Sequence, residues 1–252
     1  MSFPRRTDRA KPARFLIVQT GTTFPELRAR RGDFPDWFRT GMGLDRSQVD
    51  VVRADAGERL PSGLGTHAGV IVTGSPAMVS DRHPWSEDTA AWLRSIIGHR
   101  IPVLGVCYGH QLLAHALGGR VDYHPRGREI GTVRVERLAA ATDDVLLGSS
   151  PQTFHVHASH QQSVIELPRD AVVLARSNHD PHHAVRYAPN VWGLQFHPEF
   201  SVGIMRDYLH RRRQAINGDC PAGCCEDRAG VPAPSARRLL RRFGEIACSR
   251  AV

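Results

Sequence analysis

The chain has 252 residues and a formal net charge of +8, carried almost wholly by arginine because Lys11 is the only lysine. That length suits one α/β domain with a full core and a short appendix, and no stretch reaches the roughly eighteen apolar residues of a membrane span. Met1-Ser2-Phe3-Pro4-Arg5-Arg6 lacks a signal-peptide core, the arginines are scattered rather than interleaved with aromatics, and the five cysteines form no disulfide framework. Secreted, membrane and nucleic-acid-binding classes are therefore set aside, and a reducing, cytoplasmic compartment is expected.

Residues 1–13, polar and rich in arginine and proline, read as a flexible leader, and residues 14–216 as the folded domain. Phe15–Gln19 is a short buried strand, Phe34–Met42 a helix, Val49–Val52 a second strand and Gly69–Val72 a third. Ser86 is placed as the cap of a helix running to about Ile97, with Glu87 and Asp88 in the first turn where they complement the dipole. The apolar run Ile101–Gly105 is a strand that stops at Cys107, and a helix starts at once at Tyr108 and runs to about Gly118. This strand and helix alternation indicates a largely parallel sheet with helices on both faces, whose active sites lie beyond the C-terminal ends of the strands. Gly74 and Cys107 sit at such ends.

After Gly119 the segments become shorter and alternate: Gly131–Arg137, Thr153–His157, Ala171–Arg176, Ala184–Tyr187 and Val191–Phe196. They read as antiparallel strands that extend the sheet, the last delivering His197. Ser201–Gln214 is a helix. Residues 217–252 form a glycine- and proline-rich linker with Cys220, Cys224 and Cys225, then an amphipathic helix over Ser235–Ala247. The arginine clusters Arg211–Arg213 and Arg237, Arg238, Arg241 and Arg242 are taken as solvated helix faces.

Cys107 is the candidate nucleophile. Gly105 and Gly109 stand two residues either side of it, where a strained strand-to-helix elbow needs side chains absent. A sulfur held at a helix N-terminus gains from unpaired N–H groups and the helix dipole, both of which favour a thiolate. A nucleophile also needs a base, and Gly193-Leu194-Gln195-Phe196-His197-Pro198-Glu199 supplies an imidazole with a carboxylate two residues on. Pro198 stiffens the step, so Glu199 can orient the His197 ring.

The two motifs, G-V-C-Y-G-H-Q and about ninety residues later G-L-Q-F-H-P-E, resemble the class I, triad-type glutamine amidotransferases, in the branch similar to the amidotransferase domain of GMP synthetase. Val70–Pro76, an apolar strand running into a glycine turn, matches the family's third segment. The resemblance spans roughly Phe15 to Tyr208. It implies an α/β fold with a flavodoxin-like, mostly parallel sheet, and a Cys107–His197–Glu199 triad that opens the glutamine amide through a thioester. It also implies an oxyanion hole at the backbone of Tyr108 and Gly74, and substrate contacts from Gln111, Ser159 and Gln161. Two departures bear on pocket size: Gln161 and Gln162 stand where the family more often has small residues, and Ser75 where many relatives have glycine. Free glutamine and a larger γ-glutamyl peptide or amide both remain open as substrate.

No metal or other cofactor is expected. His155 and His157, and His182 and His183, lack partnering carboxylate or cysteine spacing, and Cys220-x-x-x-Cys224-Cys225 lacks a second ligand pair. Trp85, beside Pro84 and close after the Gly74 turn, reads as a core residue in preference to a shield of the cleft. Ammonia transfer would need an acceptor synthetase on a separate subunit.

Overall fold

The computed structural model describes residues 13–216 and 230–250, with the side chains of 213–216 left aside. The leader, the linker and its three cysteines lie outside the described residues. Strands β1 (Arg14–Gln19), β2 (Val49–Arg53), β3 (His67–Val72) and β4 (Val103–Val106) alternate with helices α1 (Pro25–Arg31), α2 (Phe34–Met42), α3 (Pro84–Ile96) and α4 (Tyr108–Ala116). Strands β5 (Arg120–Tyr123), β6 (Glu129–Arg137), β7 (Thr153–His160), β8 (Gln162–Glu166), β9 (Val172–Arg176), β10 (Ala184–Ala188) and β11 (Val191–Leu194) follow, then helices α5 (Val202–Ile216) and α6 (Pro234–Arg250).

The main sheet has nine strands in the order β2-β1-β3-β4-β11-β10-β9-β6-β7. Strands β2, β1, β3, β4 and β11 are mutually parallel, and β10, β9, β6 and β7 pair antiparallel beyond them. Val191–Phe196 is therefore not part of the antiparallel extension. Its strand β11 returns to the centre and runs parallel to β4, with Leu194 opposite Val106. That register carries the segment after β11 to the same sheet edge as Cys107.

Because the sheet is covered on both faces, its central strands are apolar throughout rather than alternating. Phe15 and Ile17 face the core beneath α2, α5 and α6, whereas Leu16 and Val18 face the one beneath α3 and α4. Ser86 does not cap α3. His83 holds the cap position, and Ser86 is buried in the first turn with its hydroxyl 2.6 Å from that of Tyr108. Helix α1 and the two-stranded sheet β5–β8 were not anticipated.

Helix α6 shares the core of α2 and β3. Leu240, Phe243 and Ala247 are fully buried, and Leu240 approaches α2 so closely that a Cβ on Gly41 would sit 2.5 Å from its Cδ1. Leu240→Ala is expected to lower stability by about 2–5 kcal/mol in urea unfolding. A loss below about 1 kcal/mol would mean that α6 rests on the domain without belonging to its core.

Candidate active site

Between β4 and α4 the chain reverses at one residue. Cys107 has φ 51° and ψ −101°, a backbone conformation that costs a non-glycine residue energy and persists only where its surroundings enforce it. The surroundings are tight. A Cβ on Gly105 would lie 2.4 Å from the Gly109 carbonyl oxygen, and one on Gly109 would lie 2.3 Å from that of Val72. The elbow is pinned by Cys107 N–H donating to Leu194 O at 2.7 Å and Gly109 N–H donating to Thr73 O at 3.1 Å.

Beyond β11, His197 N–H donates to His157 O at 2.7 Å, which fixes the backbone just before Pro198. The His197 Nδ1 lies 2.7 Å from Glu199 Oε1, and both side chains are buried. The ring is packed between Phe200, stacked at 4.0 Å, and Phe34 at 6.2 Å. Across Gly74 it faces Cys107, whose charge also acts on it. Burial disfavours a charged ring, but Glu199 and Cys107 outweigh it and push His197 up to about 10. The neighbouring His157 goes the other way: burial, then the charge on His197, pulls it down to about 4. One imidazole is held as a cation while the next is kept neutral.

Gly74 completes the cluster. A Cβ there would lie 3.0 Å from His197 Cε1 and 3.7 Å from Cys107 Cβ, so only glycine leaves this space open. Among the described residues neither the Gly74 nor the Tyr108 N–H is taken up by a backbone hydrogen bond. The Tyr108 side chain turns inward, and burial lifts its phenol to about 12.

The remaining sequence candidates line the same cleft. The Ser159 carbonyl faces the Cys107 sulfur at 3.9 Å. Gln111 is buried, and its Nε2 donates to Gln162 O at 2.7 Å and Gln195 Oε1 at 3.0 Å, so a ligand amine would meet its Oε1. Gln161 Oε1 accepts from Arg128 at 2.6 Å. Gln162 Nε2 donates to Ser80 Oγ at 2.5 Å.

Sequence reasoning missed two supports. Glu129 Oε2 accepts from His160 Nε2 at 2.8 Å and His183 Nε2 at 2.7 Å, and Ser177 donates to Oε1 at 3.0 Å. Burial works against the Glu129 carboxylate, yet His183 and His160 hold it well below its usual range, and its charge raises His183 in return. These three side chains are also close enough to hold a metal ion. Their spacing is that of hydrogen bonds to one shared oxygen, tighter than ligands around a metal, and the cluster anchors the strand end that carries Ser159. His160 lies between the candidates Ser159 and Gln161, whereas the carboxylate that His183 lacks in its own stretch of sequence is Glu129, 54 positions away. The second support is Arg237 of α6, which donates to the Glu199 carbonyl at 3.1 Å.

Fold and site define an α/β protein built on a nucleophile-type elbow. The model of the family described as glutamine amidotransferase class-I matches residues 39–213, and the chain belongs to that family. It is 38% identical over 186 residues to a GMP synthase (glutamine-hydrolyzing) of Aeropyrum pernix, covering 73% of this chain and 32% of that one. It is 28% identical over 203 residues to gamma-glutamyl peptidase 5 of Arabidopsis thaliana, covering 78% of each. A glutamine amidotransferase from Thermotoga maritima, 23% identical, shares the fold with a TM-score of 0.71 over 93% of this chain and 97% of that one. The chain spans about a third of the length of that GMP synthase. No helix among the described residues is long and apolar enough to cross a membrane.

The charge on His197 is directly measurable. In an NMR pH titration the ring is expected to keep its proton until about pH 10. Glu199→Gln should lower that midpoint by about 1–3 units, since an opposite charge at contact is worth that much. A wild-type midpoint near the ordinary value of roughly 6.5 would show that no charge pairing operates.

Proposed function

We propose that the chain hydrolyses the side-chain amide of glutamine through a thioester on Cys107, with His197 as acid and base and Glu199 as its orienting carboxylate. The observation that carries this reading is the meeting of a strained cysteine elbow with a buried His–Glu pair whose imidazole is held as a cation. An amide is a weak electrophile, and its nitrogen leaves only when protonated. A thiolate beside an imidazolium supplies both needs in one contact. The sulfur attacks the amide carbon, the C–N bond breaks, and ammonia takes its proton from His197. The ring, now neutral, draws a proton from water, whose oxygen attacks the thioester and releases glutamate.

The N–H groups of Tyr108 and Gly74 would hold the oxyanion, and one such donor is worth about 3 kcal/mol of barrier. Gln111, Ser159 and Gln161 would grip the α-amino acid end. The longer GMP synthases that the chain resembles support a partner synthetase as the acceptor of the ammonia. A second reading, a hydrolase of γ-glutamyl peptides or amides, uses the same steps with a larger leaving group. It is favoured by the peptidase relative, which matches over most of its own length.

Incubation with a diazoketone analogue of glutamine followed by peptide mass spectrometry should label Cys107 alone. Cys107→Ala should abolish labelling and reduce glutamate release by at least about 10³-fold. Label on another residue, or an unchanged rate in the variant, would overturn the assignment.

A further inference from the structure

Cys107 lies where two lobes of the cleft meet. One lobe is polar and includes Tyr108, Gln111, Gln161 and Gln162. The other, of about 240 Å³, is walled by Phe24, Pro25, Phe34 and Tyr208, and it is the lobe that His197 lines. The leaving nitrogen must sit beside the group that protonates it. The leaving group therefore occupies the aromatic lobe. Ammonia, about the size of a water molecule, needs only about 30 Å³.

Arg212 borders both lobes. Its guanidinium lies 5.4 Å from the centre of the Phe24 ring, and its Nε is buried with no hydrogen-bond partner among the described residues. The adjacent Arg211 stacks on the same ring at 5.6 Å but is engaged by Glu26 at 3.4 Å. Among the described residues no carboxylate pairs with Arg212. A guanidinium held over an aromatic ring at the border of a cleft, with a donor unused, suits a planar carboxylate bound through two parallel hydrogen bonds. The walls are themselves braced, since the Tyr208 hydroxyl is 2.9 Å from that of Thr23.

We propose that the aromatic lobe is a leaving-group subsite in which Arg212 binds the carboxylate of the amino acid released from a γ-glutamyl-amino acid. The proposal rests on the hydrolase reading above and names its substrate class. Cys107 sulfur bonds to the γ-carbonyl carbon, and the bond from that carbon to the amino acid's nitrogen breaks. The nitrogen keeps the electron pair and takes its proton from His197. Water then cleaves the thioester, so each turnover consumes one water and yields glutamate and a free amino acid.

The test uses the full chain and three substrates: γ-glutamyl-alanine, γ-glutamyl-alaninamide, which differs only in lacking the leaving-group charge, and glutamine. Wild type is expected to prefer the acid over its amide in kcat/KM by about tenfold to a hundredfold, the worth of a charged hydrogen-bonded pair. Arg212→Ala should collapse that ratio towards unity, mainly through KM, and Arg212→Lys should keep part of it. Because the readout is a ratio within each variant, a partial loss of folded protein does not mimic it; should Arg212→Ala fail to fold, Arg212→Gln carries the same comparison. An unchanged ratio overturns the proposal. So does an equal loss on all three substrates, which would assign Arg212 to the glutamyl carboxylate. Wild type that hydrolyses glutamine but not γ-glutamyl-alanine removes the subsite and the γ-glutamyl hydrolase reading with it, and leaves the glutamine-amide reading standing. Glutamate release from none of them removes both.

Discussion

The constraint on which the rest depends is the backbone of one residue. Cys107 is held at a positive φ that its side chain disfavours, and only the packing of β4, α4 and the end of β3 keeps it there. The contacts that enforce it are backbone to backbone: Gly109 rests against the Val72 carbonyl, and Gly105 against Gly109. A side chain at either glycine would push the helix off the sheet and relax the elbow. Because the strain is set by the central sheet, the sulfur's position is as rigid as the core itself. The parallel return of β11 beside β4 then brings His197 to that fixed point rather than leaving it on a mobile loop.

Electrostatics at the site follow from the same burial. The His197 ring is enclosed by Phe34 and Phe200, so water screens its charge poorly. In such surroundings an isolated imidazolium would be unfavourable, and Glu199 at 2.7 Å offsets that cost. Desolvation and pairing thus act in opposite directions on one group, and pairing wins. Next door His157 has Thr132 at 3.0 Å but no carboxylate, so desolvation wins and the ring stays neutral. The difference between these two histidines lies in the carboxylate that follows one of them.

What was legible in the sequence had local causes. The elbow announces itself because close backbone approach demands glycine at fixed offsets, and the His197–Glu199 pair because two residues and a proline set its geometry. The central strands were legible because burial on both faces leaves apolar runs. What was not legible depends on partners distant in sequence. Whether Val191–Leu194 runs parallel or antiparallel is decided by its neighbour β4, some ninety positions earlier, and its own pattern is silent on that. The bracket on Glu129 joins residues 31 and 54 positions apart. Strands β5 and β8 are short and half polar, and they pair only with each other.

Arginine misled the reading for a physical reason. A charged side chain on an amphipathic helix normally marks the solvated face, and on α6 Arg238 and Arg242 obey that rule, reaching Ser235, the Val145 carbonyl and Glu245. Arg237, one residue before Arg238, points inward to the Glu199 carbonyl. Burial lowers its hold on its proton, which the Glu199 charge partly restores. The arrangement is self-consistent: the carboxylate that steadies His197 also favours a cation behind it, while the guanidinium bonds the carbonyl and leaves the carboxylate to the imidazole. Had Arg237 bonded the carboxylate directly, it would have competed with His197 for the charge that keeps the ring protonated. Helix α6 thus braces the backbone of Glu199 without diverting the charge of its side chain, which ties a helix outside the family match to the geometry of the site.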